Sequence, residues 1–272
     1  MESPQGMNLD LAAIDQKDLE GLKAFQPADW PDITKAYAFY IPSPYCQPLK
    51  LMENGEIRAI GCAIRHAQTA WLAQIIVAEP YRNRGLGSKM TQCLIDLVKP
   101  EVRSISLVAT DLGAPVYTKL GFRPVAEYSF FRRAEPLPPN PESGVADLNS
   151  SILGQVLELD LEASGEDRSL LIRDHLENGK VISSNSVLYA YYLPTLGEGL
   201  IISRDEKAGQ ELMRLKLSAR LRHVIPEGNV TAKNFLLENC FEPYRKALRM
   251  VLGDPVHFKP EWIYSRIGGN LG

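Results

Sequence analysis

The chain has 272 residues, 45% of them hydrophobic, with 30 lysines and arginines against 33 acidic residues, a formal net charge of -3 and a pI near 5.9. That length admits one large domain or two ordinary ones with a real core, and the charge balance excludes a general nucleic-acid surface, so any positive site is local. The start "MESPQGMNLDLAAIDQ" lacks a basic stretch followed by an apolar run, and no segment offers the roughly 20 apolar residues of a membrane span.

Cys46, Cys62, Cys93 and Cys240 have neither disulfide-framework density nor the close pairs of a zinc site. The expectation is buried free thiols in a soluble cytoplasmic protein with no metal site, no membrane and no nucleic-acid partner. No residue pattern specifies an oligomeric state.

In chain order, "DQKDLEGLKAF" predicts a short helix capped near Asp15, and "DWPDITKAYAFYI" a second helix after Pro31, with exposed aromatics near a loop. "EIRAIGCAIR" reads as a strand, and "AWLAQIIVA" as a second strand, apolar enough to be central. Leu86, Met90, Leu94 and Leu97 then recur at helical spacing. "SISLVAT" alternates as a strand, "DLGAPVYTKLGF" turns into a short helix ended by Gly121, and "VAEYSFFRR" is a further strand. This order predicts an α/β fold, a mixed central sheet with flanking helices.

The segment "AEPLPPNPESG", residues 134 to 144, carries four prolines and no apolar periodicity, which marks a linker. Beyond it the order partly repeats. "NSVLYAYYLP" resembles the strand at 57 to 65, "GLIIS" the strand ending at Val77, "DEKAGQELMRLKLSARL" the helix after the glycines, and "TAKNFLLENCF" the piece "GAPVYTKLGF". In the last pair Gly113, Tyr117, Gly121 and Phe122 stand opposite Ala232, Leu236, Cys240 and Phe241. An internal duplication is the expectation, with independent look-alike segments as the alternative. It gives domains at 1–133 and 146–272, joined by a proline-rich linker at 134–145.

The stretch "YRNRGLGSK" sits between the strand ending at Val77 and the following helix. A glycine turn at a helix start exposes N–H groups without intrahelical partners and aligns the positive end of the helix dipole with them. Gly85 and Gly87 let an anion approach the backbone, and Arg82, Arg84 or Lys89 can add charge at the rim. A P-loop would need lysine and hydroxyl directly after its glycines, and a dinucleotide fingerprint a third glycine; "GLGSKM" supplies neither. Solvated arginines around a plain turn are the bland alternative. Tyr117 lies seven residues past the next strand end, on a short helix where open α/β sheets place ligands. As a core aromatic it needs no function; as a protonated phenol it can protonate a departing thiolate. Together the two features describe acyl transfer from a phosphate-bearing thioester.

Through "RNRGLG" and "APVYTKLGF", residues 74 to 122 resemble the core of the GCN5-related N-acetyltransferase (GNAT) superfamily. More narrowly, "LVATDLGAPVYTKLGF", the "DW" at 29 to 30, "GEDRSLL" at 165 to 171 and "YRKALRM" with Gly253 are similar to the two-domain subgroup related to the acetyltransferase domain of microcin C self-immunity proteins. The resemblance implies the acyl-CoA N-acyltransferase fold, duplicated as tandem GNAT-like domains, with acetyl-CoA as cosubstrate between two splayed parallel strands. It implies that backbone groups of Ile76 and Val77 pair with the pantetheine arm. The amides of Arg84, Gly85, Leu86, Gly87 and Ser88 would hold the pyrophosphate beside Arg82, and Thr110, Asp111, Gly113 and Ala114 would line the other side. Tyr117 would protonate the coenzyme A thiolate, and an N–H near Val77 would steady the oxyanion. The chain departs from the family pattern at Glu79-Pro80, where the proline comes one position late, and at Asp111, where many members carry asparagine.

In the second copy, "SRDEKAGQE" has no G-x-G and Leu236 stands for Tyr117, so its chemistry is lost and it is expected to help enclose the acceptor. The acceptor is expected to be a primary amine of a small molecule, with aminoacyl-type compounds favoured by the narrower resemblance. Glu79, Asp111 or water would serve as base, and Trp30, Tyr37 and Tyr40 are candidates for an acceptor wall, with packing the competing role. Ser88 is read as a helix cap and phosphate contact. His66, His175, His223 and His257 show no ligand spacing. Two other readings stay open: a catalytically inactive acyl-CoA-binding regulatory or sensing module, and a non-enzymatic protein-interaction scaffold.

Overall fold

The computed structural model describes residues 9–28, 30–140 and 144–271. The first half runs β1 (Asp10–Ala13), α1 (Ile33–Tyr40), β2 (Cys46–Glu53), β3 (Glu56–His66), β4 (Thr69–Val77), α2 (Leu86–Val98), β5 (Ser104–Ala109), α3 (Ala114–Lys119) and β6 (Arg123–Arg132). The second half runs β7 (Ala146–Asp147), α4 (Leu153–Ser164), α5 (Ser169–Arg173), β8 (Lys180–Ser184), β9 (Val187–Leu193), β10 (Leu200–Ser203), α6 (Glu206–Leu217), β11 (Arg222–Pro226), α7 (Val230–Glu238), β12 (Glu242–Gly253) and β13 (Ile263–Ser265).

The stretch after Asp15 forms two short 3₁₀ turns, Gln16–Asp18 and Gly21–Phe25, instead of one helix; Asp15 caps the first by accepting from Lys17 N–H. The helix after Pro31 starts at Ile33, where the Asp32 carboxylate accepts from Thr34 N–H. In α2 the predicted Leu86, Met90 and Leu94 are buried against the sheet, while Leu97 is half-buried and Val98 completes the buried face. Of the four thiols, Cys46 and Cys62 are buried, Cys93 is half-buried and Cys240 is exposed, so burial holds for the two on β2 and β3 and fails for Cys240 at the turn after α7.

Strand pairing crosses the boundary between the halves. The large sheet has the order β1-β2-β3-β4-β5-β12-β6-β11, and the second sheet the order β13-β10-β9-β8-β7. Strand β12 of the second half lies between β5 and β6, pairing antiparallel with both, and β6 of the first half lies between β12 and β11. The exchange is reciprocal, as a duplicated unit with a pseudo-twofold axis between β6 and β12 requires. The turns after α3 and α7 match as well. Phe122 N–H donates to Tyr117 O at 3.0 Å and Phe241 N–H to Leu236 O at 2.9 Å, while Gly121 and Cys240 both take left-handed backbone, φ +91 and +60. The fold is a mixed α/β sheet with flanking helices, built from two units of similar element order.

Residues 134–140 lie along the second half: Leu137 is buried and its N–H donates to Leu217 O at 2.9 Å. The halves share a core in which Tyr37, Ile60 and Trp71 meet Leu159, Leu171, Ile202, Ile263 and Ile267. No helix among the described residues is long and apolar enough to cross a membrane.

Candidate active site

Strands β4 and β5 run parallel but pair only from Thr69, Ala70 and Trp71 to Ser104, Ile105 and Ser106; beyond these residues they separate, toward Val77 and Ala109. The cause is local. Gln74 takes left-handed backbone, φ +52, where the β3–β4 register shifts, and such a bulge bends and twists its strand. Ala78 N–H bonds Arg58 O at 2.9 Å, so strand alternation turns the N–H and C=O of Val77 away from β3 and into the gap. Ile76, one residue earlier, buries its side chain in the core on the other face.

The N-terminus of α2 opens at the C-terminal end of this gap. Gly85 occupies the cap position in left-handed backbone, φ +81, and no side chain caps the helix. That conformation costs an L-residue about 1–2 kcal/mol, so glycine is favoured there, and the first-turn N–H groups are left without intrahelical or capping partners. A Cβ on Gly85 would meet nothing within 4 Å, so the approach to these donors is open. Arg82 and Arg84 are exposed; Arg82 Nε reaches Val77 O at 3.4 Å, and Arg84 lies 5.0 Å from the Tyr81 ring. Leu86 is buried, anchoring the turn, while Gly87 and Ser88 are half-buried. The expected capping role of Ser88 is corrected: it is the third residue of the helix, and its hydroxyl makes no hydrogen bond to a described residue. The turn is suited to an anion held by several N–H donors, to which the dipole adds about 0.3–1 kcal/mol.

Across the gap, Thr110 O accepts from Gly113 N–H at 3.0 Å and Ala114 N–H at 2.9 Å, so these residues line the cleft with surface, their amides already engaged. Asp111 is exposed, and Leu112, at 90% exposure, projects into solvent. Tyr117 packs in the same apolar cluster as Leu86 and Val77, edge-on to Phe122 at 6.0 Å. Its ring covers Gly113 so closely that a Cβ there would come within 2.8 Å of it. The phenol makes no hydrogen bond to a described residue, and burial pushes its pKa up to about 12. It is a protonated donor with its O–H unspent.

The other predicted residues separate into surface and core. Glu79 and Asp111 are exposed and neither carboxylate is held by a hydrogen bond among the described residues. Tyr37 and Tyr40 are fully buried, which removes them from an acceptor wall; with Ile33 they form the inward face of α1. The Tyr37 hydroxyl donates to Gln74 O at 3.4 Å, and the Tyr40 hydroxyl accepts from Asn270 Nδ2 at 2.6 Å, so both support the bulge from beneath. Trp30 is half-buried against the shared core, and Asp29 of the "DW" pair lies outside the described residues. No three His, Cys, Asp or Glu side chains among the described residues are placed to hold a metal ion.

The corresponding site of the second half is filled by the chain itself. Asp205 caps α6, its carboxylate accepting from Ala208 N–H at 2.8 Å, so a built-in anion occupies the helix start. Strand β13 pairs antiparallel along β10, and the Arg266 N–H reaches Val224 O of β11 at 3.3 Å; the gap equivalent to that between β4 and β5 is closed by protein. The Tyr264 ring presses on α6, where a Cβ on Gly209 would fall within 2.6 Å of three of its carbons.

Sequence reasoning missed a buried charged cluster on the face of β4 and β5 turned toward the second half. Glu166 accepts from Trp71 Nε1 at 3.0 Å, Arg168 pairs with Asp160 at 2.6 and 3.0 Å, and Arg266 pairs with Glu198 at 2.7 and 3.1 Å. The signal was present in "GEDRSLL" and "YRKALRM", which contribute Glu166, Arg168 and Arg249 from segments 70 residues or more apart.

The sequence model of the Acetyltransferase (GNAT) family matches residues 14–122, the stretch that contains the gap, the glycine turn and Tyr117. Residues 14–122 are thus similar to the GNAT family. No curated protein matches the chain. A candidate acetyltransferase of Pyrococcus horikoshii superposes with a TM-score of 0.86 at 18% identity, covering 100% of this chain and 99% of its own. A GCN5-related N-acetyltransferase from Sphaerobacter thermophilus gives 0.60 at 14% identity over 93% of this chain and 98% of that one. A tandem GNAT protein from the clavulanic acid biosynthesis pathway gives 0.59 at 15% identity over 91% and 99%. These likenesses extend the GNAT fold beyond the matched domain to the whole chain.

Proposed function

We propose that the protein is an acetyl-coenzyme A-dependent N-acetyltransferase that acylates a primary amine of a small molecule by direct attack in a ternary complex. The observation that carries this reading is the uncapped α2 N-terminus at the mouth of the β4–β5 gap, with the unspent phenol of Tyr117 on the next crossover. The GNAT family match supports it. The first-turn amides from Arg84 to Ser88 hold the diphosphate, with Arg82 and Arg84 at its rim, and the backbone N–H of Val77, turned into the gap, receives the pantetheine arm. The coenzyme supplies an activated acetyl thioester. The amine nitrogen attacks the thioester carbonyl, the C–S bond breaks, Tyr117 gives its proton to the departing sulfur, and the proton the nitrogen loses to solvent is regained from solvent by the phenolate. Glu79 and Asp111 are free surface carboxylates, so water is the base this reading favours. The half from 146 to 272, its own site closed, encloses the acceptor.

Calorimetry with acetyl-CoA, joined to an acetylation screen over small amines and aminoacyl analogues with mass identification of products, tests the proposal. Micromolar binding with a monoacetylated amine product is the expected outcome. Binding without any product would instead indicate a coenzyme-sensing module, and absence of binding a scaffold.

A further inference from the structure

Beneath the point where β4 and β5 part, two buried guanidinium groups from the second half have hydrogen-bonding capacity that no described residue uses. Strand β12 pairs Arg249 with Val108, two residues beyond the last residue of β5 that pairs with β4. The Arg249 side chain is sandwiched between Trp71 and Phe258, with its guanidinium carbon 4.8 and 4.4 Å from the ring centroids. At 3% exposure it makes no hydrogen bond to any described residue, and its approach to Glu166 stops at 3.6 Å. Arg266, at 5% exposure, spends Nε and one terminal nitrogen on Glu198 and leaves buried Nη1 without a partner.

Both arginines border one small void, of about 10 Å³, together with Glu166, Ser164 and Tyr128. Leaving one buried polar group unsatisfied costs about 1–3 kcal/mol, more when charged, and protein interiors retain such groups where something else satisfies them. The void has room for about one water, so a carboxylate enters only as the side chains around it move apart. Of the charged groups around it, Arg168 pairs with Asp160, Arg266 with Glu198 and Arg249, more loosely, with Glu166, so what is left over is not charge but N–H groups without a hydrogen bond to a described residue, at Arg249 and at Arg266 Nη1. A planar guanidinium with free N–H groups matches a carboxylate in a fork.

We propose that Arg249 and Arg266 form an anchor for a carboxylate on the acceptor, so that the substrate class is an amino-carboxylate: one end fixed by the second half, the amine directed into the β4–β5 gap. The acceptor's carboxylate enters the void and Arg249 turns toward it within its aromatic sandwich. This assignment rests on the acetyl-transfer reading for the amine, but the anchor itself makes no use of the coenzyme.

The test is a set of matched pairs offered to the wild-type protein with acetyl-CoA: amino acids and β-alanine against their amides and methyl esters, with O-phosphoethanolamine as a phosphate arm. The carboxylates should be acetylated with kcat/KM higher by about 30-fold or more, the usual scale for a desolvated charge pair. Equal rates for acids and amides, or a preference for the phosphate compound, would overturn the anchor while leaving acetyl transfer standing. Independently of chemistry, acetate and succinate should raise the Tm of wild-type protein without coenzyme and fail to raise that of the Arg249→Gln, Glu166→Gln double variant, which removes both partners and leaves no lone buried charge. Stabilisation by carboxylates without any acetylation would retain the anchor and reject the transferase reading. Equal carboxylate stabilisation of a folded double variant would reject the anchor.

Discussion

A phenol whose pKa is raised to about 12 remains a proton donor across the range in which an acceptor amine becomes neutral. Tyr117→Phe removes that proton and nothing else of the ring packing. Turnover should fall by about 10²- to 10⁴-fold, the usual worth of a general acid, while the acetyl-CoA Kd measured by calorimetry stays within about twofold. In the wild type, rate should climb with pH as the amine deprotonates and show no decline due to Tyr117 below pH 10. At Gly85 the constraint is conformational. Gly85→Ala should lower stability by about 1–2 kcal/mol, from the left-handed backbone it must adopt, and weaken coenzyme binding in the same preparation. Lys216 makes a different statement about pH. Burial holds its ammonium down to a pKa of about 7, against an ordinary 10.5, although Nζ donates to Ser265 Oγ at 2.6 Å. Between those values the unfolded chain binds the extra proton, so stability rises with pH, by up to about 1.4 kcal/mol per pH unit. Thermal melts between pH 7 and 10 should therefore show a shallower rise for Lys216→Met than for the wild type.

At the scale of single elements, α2 and α6 are the same helix with opposite treatment of the N-terminus. One has glycine at the cap and an open donor set; the other carries its own carboxylate at Asp205. Removing that cap by Asp205→Ala should cost about 0.5–2 kcal/mol, read as a lower urea midpoint, and should create no second coenzyme site in calorimetry because β13 still fills the gap. Much of this was legible in the sequence. The helical period from Leu86 to Val98, the glycine turn, and the match of Tyr117–Phe122 to Leu236–Phe241 each depend on neighbours close in the chain, where periodicity and turn chemistry operate. Strand β2 escaped because Pro48 interrupts its pattern, yet Pro48 pairs with Cys62 inside the sheet. The insertion of β12 beside β5 escaped because no local propensity encodes which distant edge a strand will choose. Tyr37 and Tyr40 stayed open between acceptor wall and packing for a related reason: tyrosine is common at binding walls and in cores, and only the tertiary packing around Gln74 decides for the core.

For the whole molecule, the shared strands and shared core make the two halves one folding problem. A fragment ending at residue 133 lacks β12, leaving β5 and β6 with unpaired edges and Trp71 without its cover from Glu166 and Arg249. Expressed alone it should aggregate or remain unfolded by circular dichroism and bind no acetyl-CoA; co-expressed with 146–272 it should recover a soluble heterodimer that elutes with the intact protein. A stable, coenzyme-binding 1–133 fragment would show that the sheet tolerates the missing strand.

The β5-β12-β6-β11 interleaving also limits how such a protein can be rebuilt by recombination. A crossover between homologues anywhere from residue 104 to 253 would draw adjoining strands from different parents, so chimeras should fail there even where each parental half is sound. Substitutions on β12 should then disturb the β4–β5 gap although its glycine turn and Tyr117 lie in the other half, and inherited variation in the two halves must remain matched.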